Sequence, residues 1–284
     1  MGPPHFLCIG AHKSGTTWLY ENLKRHPAVW LPPIKELHYF DGMPGLPRVA
    51  QRLNEALQEV VATGRVADPA KLDLMRKYVL VQPKDFAWYR SLFEPAGERL
   101  TGDMTPAYAT LSGQVVSRVR ELLPDCRIIF IMRNPIERAW SHFRSNAEKA
   151  KLDVGRATLD TIRRHIDSPN SQIRTAYTRT IETWEQGFPR DRILYLFYDD
   201  LLADGDAFLG AVCRFLDLPF DQRHFADTRD TVVNQSMALE IDPNVRAYLA
   251  SKYHDEIAAL QRRFGGHTDR WLEDCERLIV DGKS

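Results

Sequence analysis

Charge of one sign is the first thing this sequence lacks: its 284 residues hold 38 Lys and Arg against 38 Asp and Glu. With no net field to draw in nucleic acid or a long polyanion, any anion site must be built locally. Cysteine is scarce too. Cys8, Cys126, Cys213 and Cys275 lie far apart, with no C-x-x-C pair and no histidine at a zinc spacing, so four reduced thiols and no metal are expected. Long apolar runs are also missing. The longest, 6–11 and 128–132, fall far short of the ~20 residues that span a bilayer, and no basic segment precedes the first. A cytoplasmic chain without a membrane span is expected. Gly2 makes no myristoylation site, because Phe6 stands where that motif takes Ser or Thr. Neither repeats nor low-complexity tracts appear, so a single domain over 1–284 is expected, with loop and helical insertions around 41–99 and 145–172.

What is present reads as strand alternating with helix. Residues 5–10 form a short apolar run, followed by a Gly/Ser/Thr-rich turn and a helix over 18–25 with Leu19 and Leu23 on one face. Further strands are predicted at 127–132 and 192–198. Helices are predicted near 49–62 and 86–93, and after Asn134-Pro135, an N-cap followed by a favoured first helical residue. Ile173, Tyr177, Ile181 and Trp184 repeat at helical spacing, and a late helix opens at Asp242-Pro243 and closes at Gly265-Gly266. This order implies an α/β fold of three layers, with a mainly parallel central sheet covered by helices on both faces.

Gly10-Ala11-His12-Lys13-Ser14-Gly15-Thr16-Thr17 has the G-x-x-x-x-G frame of a phosphate-binding loop, placed between a strand and a helix N-terminus. It lacks the lysine that a nucleotide triphosphatase carries after the second glycine. Thr16 stands there, and Lys13 comes three residues earlier. Backbone N–H groups and the Thr16 and Thr17 hydroxyls still suit an anion. A magnesium-binding carboxylate is also missing from the end of the 127–132 strand, which runs into Arg133; Asp199 and Asp200 leave a kinase or triphosphatase reading open. Arg133, with Ser141 two helical turns on, suits a second phosphate; the alternative is a surface pair with Glu137.

Lys13-Ser14-Gly15-Thr16-Thr17-Trp18-Leu19 resembles the 5′-phosphosulfate loop of sulfotransferases that use 3′-phosphoadenosine 5′-phosphosulfate, and Arg133 with Ser141 resembles their 3′-phosphate motif. Lys35-Glu36-Leu37-His38-Tyr39-Phe40-Asp41, Gly102-Asp103-Met104-Thr105-Pro106-Ala107-Tyr108 and Phe188-Pro189-Arg190 are similar to the heparan sulfate-type carbohydrate branch. The resemblance implies a P-loop-like fold with about five strands, the donor at their C-terminal ends, adenosine 3′,5′-bisphosphate as product, and sulfuryl transfer to a hydroxyl or amine. It implies an acceptor that is a carbohydrate or glycolipid; another small-molecule hydroxyl is the alternative, and a non-catalytic nucleotide-binding scaffold a more distant one. No metal is needed where lysine and backbone dipoles neutralise the leaving phosphate. The sequence departs from the family at 231–236, where a basic 3′-phosphate segment would stand; only Asn234 and Arg229 offer themselves there.

Roles follow from that resemblance. Lys13 is expected to stabilise the leaving oxygen, with Ser14, Gly15, Thr16 and Thr17 cradling the 5′ group. Glu36 is expected to take the acceptor proton, its alternative being a surface pair with Lys35 or Arg48. His38 could orient Glu36, bind acceptor, be the base itself, or be a hydrogen-bonded core residue. Lys35 could reach the sulfate, and Asp41 and Asp103 could bind acceptor hydroxyls or cap turns. Trp18 and Tyr177 could border adenine, although Tyr177 belongs to an apolar stripe. Trp88 could line the acceptor cleft or simply pack.

Overall fold

The structure, a computed structural model, describes residues 4–43, 46–66, 68–225 and 241–282. Five strands, β1 (Phe6–Gly10), β2 (Val29–Trp30), β3 (Leu100–Met104), β4 (Arg127–Met132) and β5 (Ile193–Phe197), form one sheet in the order β2-β3-β1-β4-β5. Every pairing is parallel. A parallel sheet needs long crossovers, and these are helical: α1 (Thr16–Leu23), α2 (Leu46–Thr63), α3 (Pro69–Leu80), α4 (Phe86–Ser91), α5 (Gly113–Leu122), α6 (Pro135–Lys149), α7 (Leu159–Ile166), α8 (Pro169–Ile173) and α9 (Tyr177–Gly187). After β5 come α10 (Tyr198–Ala203), α11 (Gly205–Phe215), α12 (Pro243–Phe264) and α13 (His267–Asp281).

Strands β1 and β4 read as unbroken apolar runs because helices cover both faces, and alternation along each strand divides the core in two. Leu7, Ile9, Ile128, Phe130 and Met132 face a cluster with Val116, Val119, Trp140, Ile181, Trp184 and Leu249. Phe6, Cys8, Ile129 and Ile131 face the other side, with Leu19, Leu23, Phe208 and Val212. A third cluster, built by Leu37, Val49, Leu74, Tyr78, Trp88 and Tyr89, lies over the 30–93 stretch. The four cysteines are buried and unpaired. Among the described residues no helix is long and apolar enough to cross a membrane.

The caps read from sequence are in place. Asn134 Oδ1 accepts from Ile136 N at 3.0 Å, and Asp242 Oδ1 from Asn244 N at 2.8 Å. Two expectations change. The stripe beginning at Ile173 is broken: Ile173 ends α8 and Tyr177 starts α9, because Thr175 turns its hydroxyl onto Ser171 O (3.1 Å) and takes a bond from Arg138 (2.5 Å). Tyr198 belongs to α10 and not to the last strand. Strand β3 escaped the apolar-run criterion, since Thr101, Gly102 and Asp103 sit inside it.

Gly102 is paired in register with Phe6, and a Cβ on it would lie 2.2–2.5 Å from the Phe6 ring. That ring is fully buried and packed, so it cannot swing away. Gly102→Ala should therefore destabilise the chain by ~1–3 kcal/mol, the usual cost of overpacking. Urea unfolding checks this; a midpoint equal to wild type would mean the ring has room to move.

Candidate active site

The C-terminal ends of β3, β1 and β4 lie side by side, the edge at which ligands settle on open parallel sheets. From β1 the chain runs through His12, Lys13, Ser14 and Gly15 into α1. Gly15 has φ 84° and caps α1 without a side-chain bond, and the first turn holds no acidic residue. The first amides of α1 thus keep their donors for an outside acceptor. The left-handed φ favours glycine here, and a Cβ on Gly15 would also lie 2.6 Å from the Leu201 side chain of α10, which would have to move. Ser14 is fully buried with no partner for Oγ; it lies close to the Tyr177 hydroxyl without a well-aligned bond.

Cations converge on this loop. Burial pushes the Lys13 pKa down, and Lys149, Arg133 and Arg144 push it further the same way. Arg133 leaves the end of β4, donates from Nη1 to Lys13 O at 3.1 Å and lies 4.8 Å over the Tyr198 ring. Its approach to Glu137 is 4.0 Å, too long to hold the guanidinium fork, and Glu137 also reaches Arg246 at 3.5 Å. Ser141 follows on α6, buried. His12 is packed against Arg174, whose Nη1 donates to His12 Nδ1 at 2.6 Å. Burial and then Arg174 hold the imidazole well below its ordinary pKa, hence neutral.

Beside the loop, 35–41 carries the acidic part of the site. His38 Nδ1 is 2.7 Å from Asp41 Oδ2, and its Nε2 is 3.5 Å from Glu36 Oε2. Lys35 Nζ donates to Glu36 Oε1 at 3.0 Å. Burial raises the Glu36 pKa, but the His38 and Lys35 contacts outweigh it and leave the carboxyl far below the usual range. His38 is the mirror case: burial lowers its pKa, and Asp41 and Glu36 raise it to about 9. An ionised Glu36 and a charged His38 therefore stand together at neutral pH. His12 and Glu36 influence each other's charge, and Arg174 is influenced by both Glu36 and Asp41, so the anion loop and the acidic segment lie close together.

Several expected site residues are buried and engaged within the protein. Asp103, read as an acceptor ligand, is 1% exposed, and its carboxylate takes bonds from Tyr89 OH (2.9 Å), Tyr108 OH (2.8 Å) and Thr105 Oγ1 (2.7 Å). It lies under the site because three hydroxyls satisfy it inside. Tyr177, read as an adenine neighbour, is a buried ring edge-on to Phe130 at 5.5 Å, and only its hydroxyl comes near the loop, at Ser14. Trp18 is largely buried against Phe208 and Gly205. Trp88 packs inward, its indole bonded to Lys77 O. Asp199 accepts from Trp271 at 3.0 Å and Asp200 holds His267 at 2.6 Å, so both are engaged with α13. Asn234 and Arg229 lie outside the described residues. Arg174, His12 and Lys149 were not singled out from sequence. The α6 spacing Arg138, His142, Lys149, on one helical face, is a signal that could have drawn attention to the last.

A family model described as "Sulfotransferase family" matches residues 4–222. Human heparan sulfate glucosamine 3-O-sulfotransferase 6 is 27% identical over 222 residues, covering 76% of this chain and 52% of its own length. The chain thus spans about half the length of the curated relatives it matches. Among solved structures, a sulfotransferase from Alicyclobacillus acidocaldarius aligns with a TM-score of 0.61 at 20% identity, covering 95% of this chain and 99% of that one. The sulfotransferase domain from the Curacin biosynthetic pathway aligns at 0.56, 20% identity, with 89% and 90% covered. At those identities the likeness is one of fold.

The raised His38 pKa has a stability consequence with a definite sign. A histidine whose folded value lies above its unfolded one stabilises fully below pH ~6.5 and loses that contribution as pH rises through about 9. Asp41→Asn removes a principal cause of the rise. The difference in melting temperature between wild type and Asp41→Asn should be full at pH 6 and close between pH 6.5 and 9.5. A gap that stays constant over that range would contradict the ion pair.

Proposed function

Because the chain belongs to the sulfotransferase family, we propose that it transfers a sulfuryl group from 3′-phosphoadenosine 5′-phosphosulfate to a hydroxyl or amine, with a carbohydrate or glycolipid as acceptor. The observation that carries this reading is the proximity of a helix N-terminus without a side-chain cap, ringed by cations, to a carboxylate held ionised. The residues present fit such a donor. Ser14 Oγ is buried without a bond, the α1 amides are free of side-chain caps, and Lys13 and Arg133 bring positive charge to the loop. In this reading the backbone of 13–17 holds the 5′ end and Arg133 with Ser141 the 3′-phosphate. The donor supplies the sulfuryl group to be transferred.

The protein's part is positioning and charge, as in phosphoryl transfer. Lys13 faces the place where negative charge grows on the leaving side, in a setting that already disfavours excess positive charge, so an anion there relieves it. Glu36 is held ionised and so can accept a proton, and the His38 and Lys35 contacts that hold it so also lower its basicity until an acceptor displaces Lys35. His38 keeps it there and is itself tied down by Asp41, which makes His38 an orienting cation and not the base. Lys35 contacts Glu36 and would have to yield when an acceptor hydroxyl takes that place. The carbohydrate acceptor is supported by the likeness to human heparan sulfate glucosamine 3-O-sulfotransferase 6 and by the 35–41 segment. The kinase reading loses its two candidate magnesium carboxylates, since Asp199 and Asp200 are engaged with Trp271 and His267.

Two outcomes follow. Arg133→Ala should weaken adenosine 3′,5′-bisphosphate at least tenfold more than adenosine 5′-phosphate, measured by calorimetry; equal weakening would remove Arg133 from the 3′ site. Glu36→Gln should fold, bind the bisphosphate as wild type does, and lower turnover by ~10²-fold or more on any accepted sugar, the scale of general base catalysis. Full turnover in Glu36→Gln would pass the base role to another group.

A further inference from the structure

The backbone that presents Glu36 and His38 is unusual. Both residues have positive φ, 67° and 56°, in a segment with no glycine between them. Such conformations persist only where the surroundings over-determine them. Here three side-chain hydroxyls hold consecutive peptide groups. Tyr78 OH donates to Leu37 O at 2.5 Å, Thr105 Oγ1 accepts from His38 N at 3.5 Å, and Tyr108 OH accepts from Tyr39 N at 2.9 Å. The Tyr39 ring is stacked on Tyr89 at 4.3 Å.

Two of these hydroxyls can accept from the segment because their own protons are committed elsewhere. Each hydroxyl has one hydrogen, and those of Thr105 and Tyr108 both go to the Asp103 carboxylate, which also takes the Tyr89 proton. A carboxylate donates nothing, so it fixes the direction of every bond in the set. Burial raises the Asp103 pKa and the three donated bonds work against that rise, so its charged form depends on them, and the chain 103–105–108 carries its polarity outward to the peptide groups of 38 and 39.

We propose that Asp103 is a positioning residue: acting through Thr105 and Tyr108, it fixes the backbone of His38 and Tyr39, and so sets the His38 imidazole between Glu36 and Asp41. The proposal rests on the sulfotransferase reading for its significance, but its geometry stands apart from the chemistry. A purely structural role for the network would lower stability when broken and leave the His38 environment as it is.

The titration of His38 separates the two. The charged groups facing it are Asp41 and Glu36 from its own segment and Asp103 from β3. Asp103→Asn would therefore change His38 directly, and the informative variants are Thr105→Val and Tyr108→Phe, which keep all three carboxylates; because each also removes a donor to Asp103, the Asp103 carboxyl is titrated by ¹³C NMR in the same variants, and a His38 shift that only follows a change in Asp103 charge counts against positioning. The full chain, carrying ¹³C-labelled histidine and no ligand, is titrated by NMR, with the His38 signal assigned from His38→Gln. In Thr105→Val and Tyr108→Phe the His38 midpoint should fall by more than one pH unit, and Thr105→Ser, which restores the hydroxyl, should return it to the wild-type value. An unmoved midpoint in the folded variants would overturn the proposal. Should Tyr108→Phe not fold, the Thr105→Val and Thr105→Ser pair decides alone; should Thr105→Val also not fold, the smaller Thr105→Ala takes its place in that pair. Adenosine 3′,5′-bisphosphate binding to wild type, measured alongside, reports on the functional reading separately: its absence would sink that reading and leave the titration result standing.

Discussion

A carboxylate kept ionised beside a site built for anions is the constraint on which this molecule turns. Glu36 is partly buried, and burial alone would raise its pKa. The His38 imidazolium and the Lys35 ammonium prevent that, and Asp41 in turn keeps His38 charged. A few residues away in space, the loop ahead of α1 gathers Lys13, Arg133, Arg144 and Lys149. The neutral ring of His12, pressed by Arg174, lies between the two zones. A bound anion and an ionised carboxylate repel each other; fixed cations close to both reduce that repulsion.

The sheet order makes this arrangement possible. Three chain segments about 30 to 120 residues apart deliver the parts: Lys13 after β1, the Asp103 support from β3, and Arg133 from β4. Because β1 lies between β3 and β4, their C-terminal ends are neighbours, and the loop of β1 receives support from one side and positive charge from the other. The 35–41 segment has no strand of its own at this edge. Its position is instead fixed by hydroxyls from 105 and 108, just past β3, and by Tyr78 from α3.

Much of this was legible in the residues. The apolar runs of β1 and β4, the glycine frame of the loop and the Asn134-Pro135 helix start each have a local cause, so each appears in the sequence as it does in the fold. Strand β3 did not, since its buried Thr101, Gly102 and Asp103 are explained only by partners at Phe6, Tyr89 and Tyr108. For the same reason Asp103 read as an acceptor ligand: a carboxylate in a polar motif looks available until the hydroxyls that satisfy it are placed. Tyr177 shows the opposite situation. Its apolar stripe already pointed to the core, and the ring is there, although the stripe is split by the turn at Thr175. Arg174 and His12 meet across 162 residues, a contact that neither periodicity nor spacing encodes.

The account is tested most directly by a crystal structure of the chain with adenosine 3′,5′-bisphosphate. The 5′-phosphate is expected on the backbone N–H groups of 13–17 and the 3′-phosphate on Arg133 and Ser141, with Glu36 close to the 5′ end. A bisphosphate bound elsewhere, or bound with its 3′-phosphate away from Arg133, would contradict it.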